Sequence, residues 1–390
     1  MAKTLLKISA SAWDNESRDK RELSVYRELG TDVAVLAKGE ENDRGRIDEV
    51  AGFKVYRLST RPLGARLPNA VNRAASLFTW ASFVRRLKPD YICGHDLLPA
   101  LTIGWMSSLF SREKPKLIYD SHEFELGRNA KRNGVQRFFI RVWERFLMNR
   151  CAFSIMVNDT IADEVQRIHR LKDRPVVLRS TPGLWRLDEE VCAETRRKLM
   201  AEMKAADDSF LLIYHGKVTT MRGVEALIAE TERNPHVCAV ILGDGEKSYM
   251  DTLRQSVKEK GVEDRVLFHK AVKIDELWKI VGAADLSLMM IEGGAKSYYY
   301  SLPNKFFESI QSMTPIVASA FPEMKRLIDR YEIGLTCDPA DAEAIDACVE
   351  KMRTDSAFYK RCKENLLRAK TELCWDNEKK VLEKAFKEIG

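Results

Sequence analysis

Short apolar runs alternate with amphipathic stretches of helix length along the whole chain. That alternation predicts repeated βα units, and with them parallel sheets covered by helices. In the first half, strands are expected at 4–9, 33–37, 53–57, 91–94, 117–120, 153–157 and 176–178, with helices near 17–29, 70–87, 98–109, 133–150 and 159–168. A connector at 179–183 leads into a charged helix at 188–204. A second series then begins, with strands at 210–215, 237–242, 265–268, 286–290, 315–318 and 334–337. Its helices fall near 223–232, 246–260, 274–282, 303–312, 322–330 and 341–353, and 357–389 reads as one strongly helical closing segment. The expectation is an α/β chain of two doubly wound domains, 1–185 and 186–370, followed by a terminal helix over 371–390.

In doubly wound sheets, ligands bind beyond the carboxyl ends of the strands. The residues able to do chemistry gather at those ends: His95-Asp96, Ser121-His122-Glu123, Gly216-Lys217, Gly243-Asp244-Gly245 and Gly293-Gly294. The octet Ser301-Leu302-Pro303-Asn304-Lys305-Phe306-Phe307-Glu308 reads as a turn that opens a helix, with Pro303 just inside its start. The free N–H groups and the dipole there suit an anionic phosphate, and Lys305 adds a positive charge. Glu308, about one turn on, can accept from two adjacent hydroxyls such as those of a ribose. The alternative is an ordinary capped helix with a solvated lysine and glutamate.

Lys217 and Arg222 flank a turn that leads into a helix at Gly223, as two cations bracketing a pyrophosphate would. The order Gly-x4-Gly-Lys-Ser/Thr of a Walker loop is absent. Residues 10–15, after the first strand, contain no glycine, so the dinucleotide fingerprint is missing and a nicotinamide dehydrogenase is disfavoured.

Composition narrows the class. With 390 residues, 45% hydrophobic and 31% charged, the chain is that of a globular protein able to build two cores. No uncharged apolar run approaches the roughly 20 residues of a membrane span. Lys3 and Lys7 interrupt the N-terminus too early for a secretory signal. The eight cysteines are scattered without a Cys-x-x-Cys pair, as reduced core thiols would be. Both features place the protein in the cytosol.

Charge is uneven: residues 1–180 carry 32 Lys/Arg against 22 Asp/Glu, within a whole-chain net of +6. Residues 54–88 hold eight cations and no acid, and residues 128–150 hold seven cations and one acid, Glu144. These stretches are either solvated helix faces or a surface for phosphate-bearing acceptors or an anionic membrane, at whose inner face the protein would sit peripherally. Nucleic acid is not expected, because no recognised binding motif accompanies the charge.

Taken together, residues 208–340 resemble the nucleotide-sugar domain of glycosyltransferase family 4, a family of GT-B fold. The likeness is carried in order by Tyr214-His215-Gly216-Lys217, Arg222-Gly223, Ile241-Leu242-Gly243-Asp244-Gly245, Asp264-Arg265-Val266-Leu267-Phe268, Leu302 to Glu308, Pro315-Ile316-Val317-Ala318 and Gly334. The first half resembles the family through Lys88-Pro89-Asp90, His95-Asp96 and Tyr119-Asp120-Ser121-His122-Glu123, and the end of the chain through Trp375 and Glu378.

The resemblance implies two Rossmann-like domains facing across a cleft, with the terminal helix crossing back to the first. It implies transfer of a sugar from a nucleoside-diphosphate donor to a saccharide or lipid-linked acceptor, in surface polysaccharide or glycoconjugate synthesis. Retention at the anomeric carbon and no metal or cofactor are expected. Lys217 and Arg222 would bind the pyrophosphate, Glu308 the ribose, and Ser301, Leu302, Pro303, Asn304 and Lys305 the phosphates and sugar. Gly216, Gly243, Gly245 and Gly294 would line the donor site, with Val272 and Lys273 near the base. His122 would be the catalytic residue, with His95, Asp96 and Glu123 on the acceptor side.

Many members carry a Glu-x7-Glu pair, but Tyr300 stands where the first glutamate would be, leaving the sugar to the tyrosines or to backbone near Gly293 and Gly294. Lys270 also replaces a common glycine. A nucleotide-sugar 2-epimerase of the same fold and a non-catalytic partner subunit remain as alternatives.

Overall fold

The strand–helix alternation is carried through both halves of the computed structural model, which describes residues 2–390 except 15, 65, 110, 112, 130 and 207. Two compact units divide the chain, Met1–Arg179 with Glu378–Gly390 and Ser180–Asn377. The first contains β1 (Thr4–Ser9), α1 (Ser17–Glu28), β2 (Asp32–Lys38), β3 (Arg44–Val50), β4 (Phe53–Leu58) and α2 (Asn69–Leu87). It continues with β5 (Tyr91–His95), α3 (Leu98–Ser108), β6 (Lys116–Ser121), α4 (Gly134–Met148), β7 (Cys151–Met156), α5 (Asp159–His169) and β8 (Val176–Val177).

The second unit opens with α6 (Glu189–Met203), β9 (Phe210–His215), α7 (Val224–Arg233), β10 (Val237–Leu242), α8 (Lys247–Glu259) and β11 (Val266–His269). Then come α9 (Leu277–Val281), β12 (Leu286–Met289), α10 (Lys296–Tyr299), α11 (Asn304–Gln311), β13 (Ile316–Ser319) and α12 (Pro322–Tyr331). It closes with β14 (Gly334–Cys337), α13 (Ala342–Thr354) and α14 (Ser356–Glu372), and α15 (Trp375–Lys387) carries the chain into the first unit.

The first sheet runs β3-β4-β2-β1-β5-β6-β7-β8 and the second β11-β10-β9-β12-β13-β14. In each, the chain winds outward from one strand in both directions, so β1/β5 and β9/β12 are the points where strand order reverses. Crevices form at the carboxyl ends there. That topology brings the loops after β1 and β5 to one place, and the loops after β9 and β12 to another.

One strand departs from the expected all-parallel arrangement. β3 pairs antiparallel with β4 through a tight hairpin at Ala51-Gly52, both with positive φ (52° and 76°). Arg-Gly-Arg-Ile-Asp-Glu-Val shows no apolar run because β3 is an edge whose Ile47 is exposed. The central strands behave as buried parallel strands do, apolar on both faces. In β10, Val237, Ala239 and Ile241 enter one core cluster, while Cys238, Val240 and Leu242 enter another.

The closing segment is not one helix. It breaks at Leu373-Cys374, where the Asn377 side chain donates to the carbonyls of Thr371 and Glu372 and satisfies the end of α14. Beyond the break, Glu378 accepts from the backbone and guanidinium of Arg179, at 2.8 and 3.1 Å. The Phe386 ring meets Tyr26 and Tyr91 at centroid distances of 4.7 and 4.8 Å. All eight cysteines are free. Among the described residues, no helix is long and apolar enough to cross a membrane.

The return of α15 rests on that aromatic contact. Phe386→Ala should lower the stability of the first unit by about 3–5 kcal/mol in urea unfolding, with the second unit's transition unmoved.

Candidate functional site

In the second unit, the loops after β9, β10 and β11 are bonded to one another. Gly216 N donates to Leu242 O (3.0 Å), Val218 N to Asp244 O (2.9 Å) and Gly243 N to His269 O (3.0 Å). Gly216 has φ +111° with open space where a side chain would be. Gly243 has φ +152°, and a Cβ there would lie 1.9 Å from Gly216 O, so its glycine is demanded by this packing. Gly245 meets Val218 in the same way. From the far side, Glu292 N donates to Met221 O (3.1 Å), which brings the Gly294 loop against the Arg222 turn.

Tyr214 lies at the centre of this shelf. Its hydroxyl donates to Lys217 O at 2.7 Å, and Lys305 Nζ lies 3.8 Å from its ring centroid. Arg222 stacks over Tyr298 at 5.1 Å, and Lys296 over Tyr300 at 5.9 Å. Pro303 is extended and stands outside the helix as its N-cap, one position earlier than expected, so α11 starts at Asn304 with no side chain capping it.

Lys305 is neither solvated nor paired. It is 8% exposed, and its ammonium has no hydrogen-bond partner. Burial, then the charge of Arg222, push its pKa down to about 7, against the opposing pull of Glu308. Nearby, the Ser301 hydroxyl is buried without a partner, and Glu308 Oε2 lies 3.2 Å from Nε2 of the buried His215. Asn304 and Lys273 are exposed, Leu302 is core, and Val272 packs half-buried beneath the loop after β11. These orphaned groups call for an anion. A cavity of about 710 Å³ in this unit, lined by Trp185, Arg196, Asp285 and Lys363 among others, is elsewhere, because Asp285 immediately precedes β12 and so marks the opposite strand ends.

The first unit has a different charge arrangement. Lys7 Nζ, fully buried in β1, donates to Asp19 Oδ1, Glu22 Oε2 and Asp120 Oδ2, each at 2.8 Å. Arg18 donates to Glu22 and Asp120, and Trp13 Nε1 to Asp19 (3.0 Å). Burial alone would push Asp19 and Asp120 up; the Lys7 ammonium outweighs it and holds both low, Asp120 well below the usual range.

Two histidines cap the cluster. His95 Nδ1 is 3.3 Å from Asp19, and His122 Nε2 is 3.3 Å from Asp120, with the two rings edge to face at 4.4 Å. Burial opposes the charged form of His95, but the neighbouring Asp120 and Asp19 carboxylates prevail and its pKa is raised. Asp96 accepts from both arms of Arg128 (2.6 and 3.1 Å) and from the backbone N–H of His122 (3.3 Å), while Glu123 is exposed. Ligand atoms of Asp19, His95, Asp120 and His122 lie within 4.8 Å of one another, as around a metal. The cation already among them is Lys7.

A family model described as glycosyl transferases group 1 matches residues 195–368, and one described as glycosyl transferase 4-like domain matches residues 23–181. The chain belongs to the family 4 glycosyltransferases. An uncharacterized glycosyltransferase of Methanocaldococcus jannaschii is 22% identical over 98% of both chains. Among solved structures, Anabaena HepE in complex with UDP (TM-score 0.75, 15% identity) and sucrose-phosphate synthase from Thermosynechococcus elongatus (TM-score 0.77, 15% identity) each match over 99% of both chains. The transferase therefore has the GT-B fold.

Within it, the second unit brings together Gly216, Lys217, Arg222, Lys305 and Glu308, and the first brings together His95, Asp96 and His122. Sequence reasoning missed Lys7, Arg18, Asp19 and Glu22. A lysine inside Leu5-Leu6-Lys7-Ile8 was the available signal, since a charge on an apolar strand must find acids.

The two buried lysines should respond oppositely to removal. Lys7→Met leaves three buried carboxylates short of a cation and should cost about 3–5 kcal/mol at pH 7. The contribution of Asp19 and Asp120 is present above their unfolded pKa values and lost as pH falls through the depressed folded ones. The deficit measured in urea should therefore stay full from pH 7 to about pH 4 and narrow below it. Lys305→Met should instead raise the melting temperature of the ligand-free transferase, by about 2–8 °C near pH 6. Unfolded, Lys305 keeps its proton to about pH 10; folded, it sheds it near pH 7, so the gain should shrink as pH rises between those values.

Proposed function

We propose that the transferase takes its sugar from a nucleoside-diphosphate donor held by the strand-end loops of the second unit. The observation that carries this reading is the Lys305 ammonium, buried without a hydrogen-bond partner beside Arg222 at the uncapped start of α11. A diphosphate supplies the missing anion. Lys217 and Arg222 take its outer oxygens, and Glu308 takes the ribose hydroxyls, turned toward them by His215. The UDP complex of Anabaena HepE, a protein of the same fold, agrees with a uridine or similar nucleotide here.

In the transfer step, the bond from the anomeric carbon to the diphosphate oxygen breaks, an acceptor hydroxyl oxygen bonds to that carbon, and the hydroxyl proton passes to the departing diphosphate. The charge that develops on the leaving diphosphate meets three cations and a helix N-terminus, so this route works without a metal. We assign the acceptor, a saccharide or a lipid-linked one, to the first unit, with His122 as the catalytic residue. Retention at the anomeric carbon and a place in surface polysaccharide or glycoconjugate assembly complete the reading.

A panel of nucleotide sugars, scored for binding and for release of free nucleoside diphosphate, tests it. Glu308→Ala should abolish donor binding, whereas His122→Ala should spare binding and lower turnover by about 10²-fold or more. Wild-type affinity for the nucleoside diphosphate should fall as pH rises above about 7, where free Lys305 is neutral, and Lys305→Met should flatten that dependence. No binding of any donor would falsify the assignment. Binding with no turnover on any acceptor would replace the enzyme with a partner subunit.

A further inference from the structure

Helix α4 of the first unit is apolar on two opposite sides. Ile140, Leu147 and Met148 face the unit's interior, with Glu144 buried beside them 3.0 Å from His169 Nε2. On the other side, Val135, Phe138, Phe139 and Val142 are 65%, 52%, 67% and 49% exposed. At 3.6 residues per turn these four fall within an arc of about 100°. A helix packed on a sheet needs one apolar stripe, and the second stays exposed among the described residues. Four large exposed side chains on one helix form a patch rather than scattered surface residues.

The chemistry around the stripe indicates what covers it. Arg141 and Arg145 border it, and Arg141 lies 5.7 Å from the Phe138 ring. The only acid in the helix, Glu144, is buried. The helix start is fixed by a reciprocal bond pair between Asn133 and Gln136, so the stripe is already formed in the free protein. An apolar stripe bordered by arginines matches a bilayer interface, which takes aromatic rings below its headgroups and cations at them. A nucleic acid would meet the arginines and leave the phenylalanines in water.

We propose that the outward face of α4 docks on an anionic lipid bilayer, with Phe138 and Phe139 inserted and Arg141 and Arg145 against the headgroups. This goes beyond the donor-site reading and does not rest on it, since docking needs no nucleotide.

The test is co-sedimentation of the full chain with vesicles of phosphatidylcholine alone or mixed with phosphatidylglycerol. Binding to the mixed vesicles alone, weakened by high salt, is expected. Phe138→Ser with Phe139→Ser, on an exposed face and checked for an unchanged melt, should weaken binding about tenfold or more. Arg141→Ser with Arg145→Ser should do likewise and lessen the salt dependence. The emission of Phe139→Trp should shift to the blue on mixing with anionic vesicles. Failure of the wild type to sediment at low salt overturns the proposal. So does full binding by the double Phe variant, or sedimentation without the emission shift. A solution dimer that the double Phe variant breaks, without vesicle binding, gives the face to a second copy of the chain and overturns it too.

Discussion

A buried ammonium needs an anion, and the two units meet that requirement in opposite ways. Lys7 comes with three carboxylates at 2.8 Å, all inaccessible to solvent. Lys305 comes with a tyrosine ring, a neighbouring arginine and a glutamate that partly offsets them. The first arrangement is closed: its charges are satisfied by the fold, so it holds β1, α1 and β6 to one another and gives His95 and His122 a fixed anionic floor. The second is open, and the anion has to come from outside. Buried charges that a protein leaves unsatisfied cost stability, and they persist where a ligand makes up the difference.

Position follows from topology. Both buried lysine sites lie at the point of their sheet where strand order reverses, and there the loops have room to diverge. In the second unit they do not diverge freely, because the β9, β10 and β11 loops exchange backbone hydrogen bonds. The glycines divide accordingly. Gly243 lets two loops touch, whereas Gly216 leaves its side-chain space empty on the open side. The glycines of these loops thus serve two physical ends, and only the second is directly about a ligand.

Most of the fold was legible because buried parallel strands are apolar on both faces and read as plain runs. β3 was not, since an exposed edge ribbon carries no such run and its hairpin is set by two backbone dihedrals at Ala51-Gly52. The donor-side residues were legible because they stand at strand ends in a fixed order. Their state was not: a lysine at a helix start looks solvated in a sequence, and the burial of Lys305 depends on Tyr214, ninety-one positions earlier. Which acids meet Lys7 was illegible for the same reason, with Asp120 more than a hundred residues from its partner. Tyr300 shows the limit on the sugar side. Its ring sits near Lys296 and Tyr299, and neither contact specifies a hydroxyl pattern.

The segment between His122 and α4 links the first unit's site to its surface. Arg128 clamps Asp96, which in turn holds the His122 backbone, and Arg132 reaches back to Glu125 at 2.9 Å. The same segment then enters α4 through the Asn133–Gln136 capping pair. Two arginines therefore face inward to fix the site, while Arg141 and Arg145 border an apolar stripe that faces out. The basic run at 128–150, which sequence alone leaves as one block of charge, divides in the structure into an inward pair and an outward border, and the proposed docking would use the second. A surface docked through that border would hold the loop of the inward pair close to whatever that surface carries. For an acceptor with a lipid tail and a short head, such placement replaces a search through solution with one in two dimensions, and the affinity required of the acceptor pocket falls accordingly.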